Sequence, residues 1–335
     1  MLQLMVRKSS LSAIRRAKAG VIAIGLALGL GAALSGCQYN PATGGRVFNL
    51  FSMEQEIMLG EGAKNELTNE YGGKVRDSVP TAYLDEIGYR LSAEVEPEFL
   101  DLPWEYTLLD SNVINAFALP GGKVFMSRAL AERLPDEASL AAVIGHEIGH
   151  VTARHGGRRI TQTYSVQMGI GVLSQLLTGA DSAWLSQVIP FAVTKGGEGY
   201  LLSYNRDQEL EADALGMRYM TRAGYDPSAI IDVMRVLEAA GGGGSTPEFL
   251  STHPHPDSRI KQAQKFLAGQ YSETQGNPNY QRYEQRYRAR MLGPLAELRR
   301  QRGEPEVMLA DFDLAQPATW CAHCAAAHTH ARAGD

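Results

Sequence analysis

Cysteine is scarce in this chain of 335 residues: Cys37, Cys321 and Cys324 are the only three, too few for a disulfide framework. A basic excess is missing as well. The formal net charge is −5, which argues against a nucleic-acid-binding surface. No apolar run reaches the roughly 20 residues that a membrane-spanning helix needs, and no repeat period is visible after residue 270. What remains is the composition of an ordinary soluble globular protein. It is long enough for one large domain or two small ones with ample core.

Residues 1–36 read as an export signal. Arg7, Lys8, Arg15, Arg16 and Lys18 form a basic start, and Val21–Ala33 forms an apolar stretch too short to span a bilayer. Leu34-Ser35-Gly36-Cys37 then resembles the bacterial lipobox, whose cysteine is acylated and becomes the new N-terminus. Gln38 rather than an aspartate follows it, which resembles the signal for outer-membrane retention. Several acyl chains, at about 0.8 kcal/mol per buried methylene, give a lasting anchor. Removing residues 1–36 takes away five positive charges and no negative ones, moving the net charge from −5 to −10. Residues 37–50, with the turn formers Asn40-Pro41-Ala42-Thr43-Gly44-Gly45, are expected to be a lipidated tether.

The chemistry centres on His146-Glu147-Ile148-Gly149-His150. Leu140, Val143, Ile144, Ile148 and Val151 make the surrounding stretch nearly continuously apolar, so it predicts a buried helix. Pro135-Asp136 is its start signal and Gly156-Gly157 its expected stop. His146 and His150, four apart, share one helical face and are placed to hold one zinc ion. Glu147 stands where it can act on a water beside the metal without being a ligand. So apolar a helix would not keep three ionisable groups without a use for them.

Elsewhere the signals are structural. Ser52 opens a capping box for a helix to about residue 70, and a second helix is expected over Thr81 to Glu94. Trp104–Asp110, Asn115–Leu119 and Lys123–Ser127 read as short strands, the last two joined across Pro120-Gly121-Gly122. An edge strand there would suit backbone pairing with an extended peptide, although a core hairpin reads equally well. Ile160–Ala180 carries no charge but too many polar groups for a membrane span. With Trp184–Val193 it reads as two helices near the site, and the glycines among them suggest a gate. Asp226-Pro227 caps a helix to about Ala239, and 280–300 reads as another helix.

A catalytic zinc takes a third protein ligand and leaves one position open. The metzincin histidine is absent: the eighth and eleventh motif positions are Ala153 and Gly156. His155 is one residue out of register and is given a structural role. In Glu209-Leu210-Glu211-Ala212-Asp213, Glu209 and Asp213 share a helical face while Glu211 points elsewhere. This suits Glu209 as ligand and Asp213 as hydrogen-bond acceptor for a ligand histidine.

These motifs, from His146 to His155 and from Ser203 through Arg206 to Asp213, resemble the HtpX and CaaX-prenyl-protease type of zinc metallopeptidase. That family includes Oma-type proteases and the beta-barrel assembly-enhancing protease. Asn40-Pro41-Ala42-Thr43-Gly44, Asn115 to Gly122, and Leu250 to Pro256 with Arg259-Ile260 look like its bacterial lipoprotein branch. The likeness runs from about residue 40 to 270. It implies an α+β, zincin-like fold, mostly helical with a small β-sheet beside the active-site helix. It also implies Glu209 as the third ligand, and His253 returning to the site as oxyanion stabiliser or inhibitory fourth ligand. Arg259 is implied to pair with an acid near the site.

The expected domains are 1–36 signal, 37–50 tether, 51–270 metallopeptidase, and 271–335 a helical extension with a disordered Cys/His tail. In that tail Trp320-Cys321-Ala322-His323-Cys324 lacks the strand–helix context of a thioredoxin motif, and a local disulfide suits an oxidising compartment better.

The expected function is a lipid-anchored zinc metalloendopeptidase with one Zn2+ per chain, at the periplasmic face of the outer membrane of a Gram-negative bacterium. Unfolded or misassembled envelope proteins are its expected substrates. Its other expected partners are the membrane and the outer-membrane assembly machinery. Two rivals stand beside it: a non-catalytic assembly factor with a structural zinc, and a zinc-buffering lipoprotein suggested by the tail.

Overall fold

The computed structural model describes residues 36–170, 173, 177, 184–192, 204–241, 247–254, 256–305 and 307. The export signal, most of the proposed gate, His255 and the Cys/His tail lie outside the described residues. The described residues open with strands β1 (Cys37–Asn40) and β2 (Gly45–Phe48), then helices α1 (Met53–Glu70) and α2 (Ser78–Ser92). Three strands follow: β3 (Glu105–Leu109), β4 (Ala116–Leu119) and β5 (Lys123–Ser127). Helices α3 (Glu137–Thr152), α4 (His155–Met168), α5 (Leu185–Ala192), α6 (Arg206–Arg222) and α7 (Ala229–Gly241) follow among the described residues. The C-terminal part holds α8 (Glu248–Thr252), α9 (Pro256–Ala268) and α10 (Gly293–Arg302). This is the expected α+β, zincin-like class.

Strand β5 is central, with β3 parallel on one side and β4 antiparallel on the other. Alternation along the strands feeds two cores. Ala116, Ala118, Val124 and Met126 face the core that contains α3, whereas Phe117, Leu119 and Phe125 face a second core with Leu59, Ile160 and Trp184. A sheet covered on both faces explains why these strands are apolar throughout rather than alternating. The β4–β5 turn needs Gly121 at φ +77°, where an added Cβ would lie 2.5 Å from Ile57 Cα.

Helix α3 is buried along its whole length, and its start is capped by Asp136, which accepts from the Ser139 N–H at 2.7 Å. Its most extensive partner is α6. Small residues set that crossing: a Cβ on Gly149 would meet Ala212 O at 2.7 Å, and one on Gly216 would meet His146 N at 2.8 Å. The two backbones therefore approach closely enough for side chains of α6 to reach the histidines of α3.

Three expectations need correction. Residues 37–50 are not a slack tether. They form an antiparallel hairpin in which buried Asn40 donates through Nδ2 to Thr152 O at 2.8 Å, and Asn40 Oδ1 accepts from the Ala42 N–H at 2.9 Å. The turn formers there close a hairpin onto the end of α3. Gly156-Gly157 do not stop α3. It ends at Ala153-Arg154, where Arg154 takes φ +58°, and the glycines lie in the first turn of α4. They are needed for space, because a Cβ on Gly156 would meet Pro120 Cγ at 2.7 Å and one on Gly157 would meet Glu56 Oε1 at 2.0 Å. Finally, residue 270 is not a structural boundary: Tyr271, Tyr287, Met291 and Leu295 are buried in the same core as α3.

Candidate metal centre

His146 and His150 project from α3 with their Nε2 atoms 3.0 Å apart. Glu209, near the start of α6, places one carboxylate oxygen 3.4 Å from His146 Nε2 and the other 3.4 Å from His150 Nε2. His253, just past α8, brings Nδ1 to 3.0 Å from Glu209 Oε1 and 3.3 Å from His146 Nε2. One donor atom from each of these four buried residues lies within 4.8 Å of every other. Packing pre-shapes the set: the Tyr204 ring stacks on His150 at 3.8 Å between centroids, and Phe249 stacks on His253 at 4.4 Å.

A metal ion fits this arrangement. Two imidazole and one carboxylate donor, with a third imidazole beside them, is a zinc-type donor set. Both carboxylate oxygens of Glu147 and the Nε2 of His253 are buried without a hydrogen-bond partner, although such atoms ordinarily find one. Burial lifts the Glu147 carboxyl above its usual range, as suits a proton acceptor kept close to the chemistry. The same burial drives His150 well below its usual value, leaving the neutral imidazole that a metal requires. Burial and the Arg259 charge pull His146 down, yet Asp213 and Glu209 together outweigh them and carry it to about 9. Burial opposes ionisation of Glu209, but His253 and Arg259 overcome it and hold that carboxyl well below its usual value.

Residues 78–267 match the family described as Peptidase family M48. The chain belongs to that family. A mitochondrial metalloendopeptidase OMA1 of Schizosaccharomyces pombe is 32% identical over 233 residues, covering 69% of this chain and 66% of the relative. The beta-barrel assembly-enhancing protease of Escherichia coli is 30% identical over 226 residues, covering 67% of this chain and 46% of the relative. Another OMA1, from Arabidopsis thaliana, is 34% identical over 161 residues, 48% of this chain and 31% of the relative. The chain thus spans from about a third to about two thirds of these relatives' lengths. Membership of M48 makes the chain a metallopeptidase by class.

Around the M48 donor set, the two α3 histidines are held differently. His146 Nδ1 lies 2.7 Å from Asp213 Oδ1, and Asp213 is gripped by Arg259 through two contacts of 2.7 Å. Arg259 also lies 2.9 Å from Glu209 Oε2, so one buried guanidinium spans both acids. His150 Nδ1 instead lies 2.9 Å from His155 Nδ1, whose Nε2 is 2.9 Å from Glu211 Oε2. The structure therefore gathers His146, Glu147, His150, Glu209, Asp213 and His253, while Cys37 lies apart on the N-terminal hairpin.

Sequence reasoning missed the Glu211–His155 pair. Glu211 does leave the Glu209/Asp213 face, but the turn at Arg154 swings His155 back toward it. A buried histidine four residues beyond Val151 with an acid two residues past Glu209 was the available signal. Arg154 is held in its left-handed conformation by Glu56, whose two oxygens each lie 3.2 Å from Arg154 Nε. No local pattern announces that contact.

Proposed function

We propose that this protein is a zinc endopeptidase anchored through Cys37 at the periplasmic face of the outer membrane of a Gram-negative bacterium. On this reading it degrades unfolded or misassembled envelope proteins. The observation that carries the catalytic part is Glu147: a buried carboxyl with no hydrogen-bond partner, its Oε1 3.6 Å from His253 Nε2, on the same helix as two converging histidines. A purely structural site needs no such base.

His146, His150 and Glu209 would hold the zinc. When bound, it supplies the positive charge that acidifies water and polarises the scissile carbonyl. Glu147 takes the proton from the attacking water and delivers it to the leaving amine. Asp213 fixes the ring of His146, and Arg259 fixes Asp213. Strand β4 has β5 on one side and no paired strand on the other among the described residues. An extended peptide laid there would be read through its backbone, which suits substrates defined by unfolding rather than by sequence. The export-signal pattern and Cys37 support the location. The name of the Escherichia coli relative, beta-barrel assembly-enhancing protease, supports an envelope role and the outer-membrane assembly machinery as partner.

A second reading has one observation behind it. His253 is fully buried against the other donors under Phe249, and a closed fourth position is the habit of structural zinc sites. That would make the protein a non-catalytic assembly factor. Cleavage of an unfolded protein by wild type, Glu147→Gln and His253→Ala, with and without chelator, separates the two. Chelator-sensitive cutting lost in Glu147→Gln supports the peptidase, and added activity in His253→Ala identifies His253 as a brake. Zinc bound with no cutting by any of the three supports the assembly factor.

A further inference from the structure

The β1–β2 hairpin alternates strictly. Asn40 and Val47 turn inward and are buried, whereas Cys37, Tyr39, Arg46 and Phe48 are exposed. The register pairs Cys37 with Phe48 and Tyr39 with Arg46, so these four side chains form one continuous outward patch. Tyr39 is 66% exposed and Phe48 37%, large apolar groups left in water where most of the described ones are buried. From residue 36 to 53 the only charged side chain is that of Arg46, although the whole chain carries −5. Two aromatics, one guanidinium and no acid is a composition suited to the headgroup layer of a bilayer.

We propose that this outward hairpin face docks on the surface of a phospholipid bilayer. The proposal rests on the reading of Cys37 as the lipid-bearing residue and adds what that reading leaves open, namely orientation. Because Cys37 is already within β1, no slack chain separates an anchor from the folded domain. Tyr39 lies two residues away along the strand, about 7 Å, and Phe48 lies directly opposite Cys37. Acyl chains on Cys37 would leave on the side to which both rings point. The inner side of the hairpin is tied to the catalytic helix: Asn40 donates to Thr152 O, and Gln38 accepts from Arg154. Docking this face therefore fixes how α3 and its metal centre sit relative to the membrane, instead of leaving the domain to tumble on a leash.

Single cysteines test this in the full chain, expressed in a Gram-negative host with Cys321→Ser and Cys324→Ser. Tyr39→Cys and Phe48→Cys are compared with Val166→Cys, whose site is 83% exposed, in isolated opened envelopes. Labelling by a charged, water-soluble maleimide and by a bilayer-soluble maleimide is normalised to labelling in denaturant. The mass of the Cys37 peptide reports acylation. The expected result is labelling at positions 39 and 48 at least tenfold slower than at 166 with the water-soluble reagent, and faster with the bilayer-soluble one. Acylated Cys37 with water-soluble labelling as fast at 39 and 48 as at 166 overturns the docking and leaves the anchor standing. Slow labelling by both reagents means a protein covers the face, and also overturns it. Unacylated Cys37 removes the anchor and, with it, the inference.

Discussion

The two histidines of α3 occupy equivalent positions one helical turn apart, yet their supports differ in depth and in kind. His146 is backed by a carboxylate in direct contact, Asp213, which is itself neutralised by Arg259, and all three are almost wholly buried. His150 is backed by a neutral relay: His155 stands between it and Glu211, and Glu211 is about one-third exposed beside Arg158. A charged partner in a dry setting orients a ring strongly, but it also leaves a buried charge behind when broken. A relay that ends near water orients the ring more weakly and tolerates damage better. The first arrangement is built for rigidity of the site, the second for adjustment.

Four measurements sharpen or break that contrast. The largest effect lies on the chemistry between the two supports: Glu147→Gln should lower peptide cleavage by about 10²–10⁴-fold while zinc affinity, measured by competition with a chelating dye, stays within a few fold. Retained cleavage would remove Glu147 from the role of base. Next, Asp213→Ala should weaken zinc binding by about 100-fold, the upper end for such a partner. It should also destabilise the fold by about 3–5 kcal/mol, since Arg259 loses its main counter-charge. Urea melts with and without metal would show both effects.

On the other side, His155→Gln should weaken zinc binding by only about 10-fold, the lower end of the same range, with little loss of stability. An effect as large as that of Asp213→Ala would show that the two histidines are supported equally. Smallest of all, Glu211→Gln should change affinity by no more than about fivefold, because a partly exposed partner contributes about 1 kcal/mol or less. Chelation gives an independent check: at free zinc about 100 times the dissociation constant, metal should stabilise wild type by about 2.7 kcal/mol. That increment should shrink most in Asp213→Ala, less in His155→Gln and least in Glu211→Gln, and stay near the wild-type value in Glu147→Gln.

How far the residues alone could be read follows the same divide. The helix carrying His146, Glu147 and His150, its Asp136 cap, the β4–β5 hairpin and the capping box at Ser52 depend on spacings of a few residues, and all are where their local patterns put them. The start of α2 at Ser78 instead of Thr81 is a small miss, caused by Asp77 capping a turn that contains Pro80. Larger misses came from contacts across long stretches of chain. Asn40-Pro41-Ala42-Thr43-Gly44-Gly45 looks like a linker until Asn40 is seen bonded to Thr152. Gly156-Gly157 look like a stop until Pro120 and Glu56 are seen pressed against them. Residues past 270 look like an appendage until Tyr287 and Met291 are found inside the main core.

By itself, the sequence determined that one buried helix presents two imidazoles and a carboxylate on a turn's spacing, because helical periodicity is local and burial follows from an apolar run. It also singled out Glu209 and Asp213 as a pair on one face. Only the tertiary structure decided which groups meet: the Gly149 and Gly216 crossing that lets α6 touch α3, the span of Arg259 from Asp213 to Glu209, and the relay from His150 to Glu211. These depend on how closely two backbones can approach and on where a chain turns after Arg154. Both are settled by packing between residues far apart in the chain, and no short pattern records them.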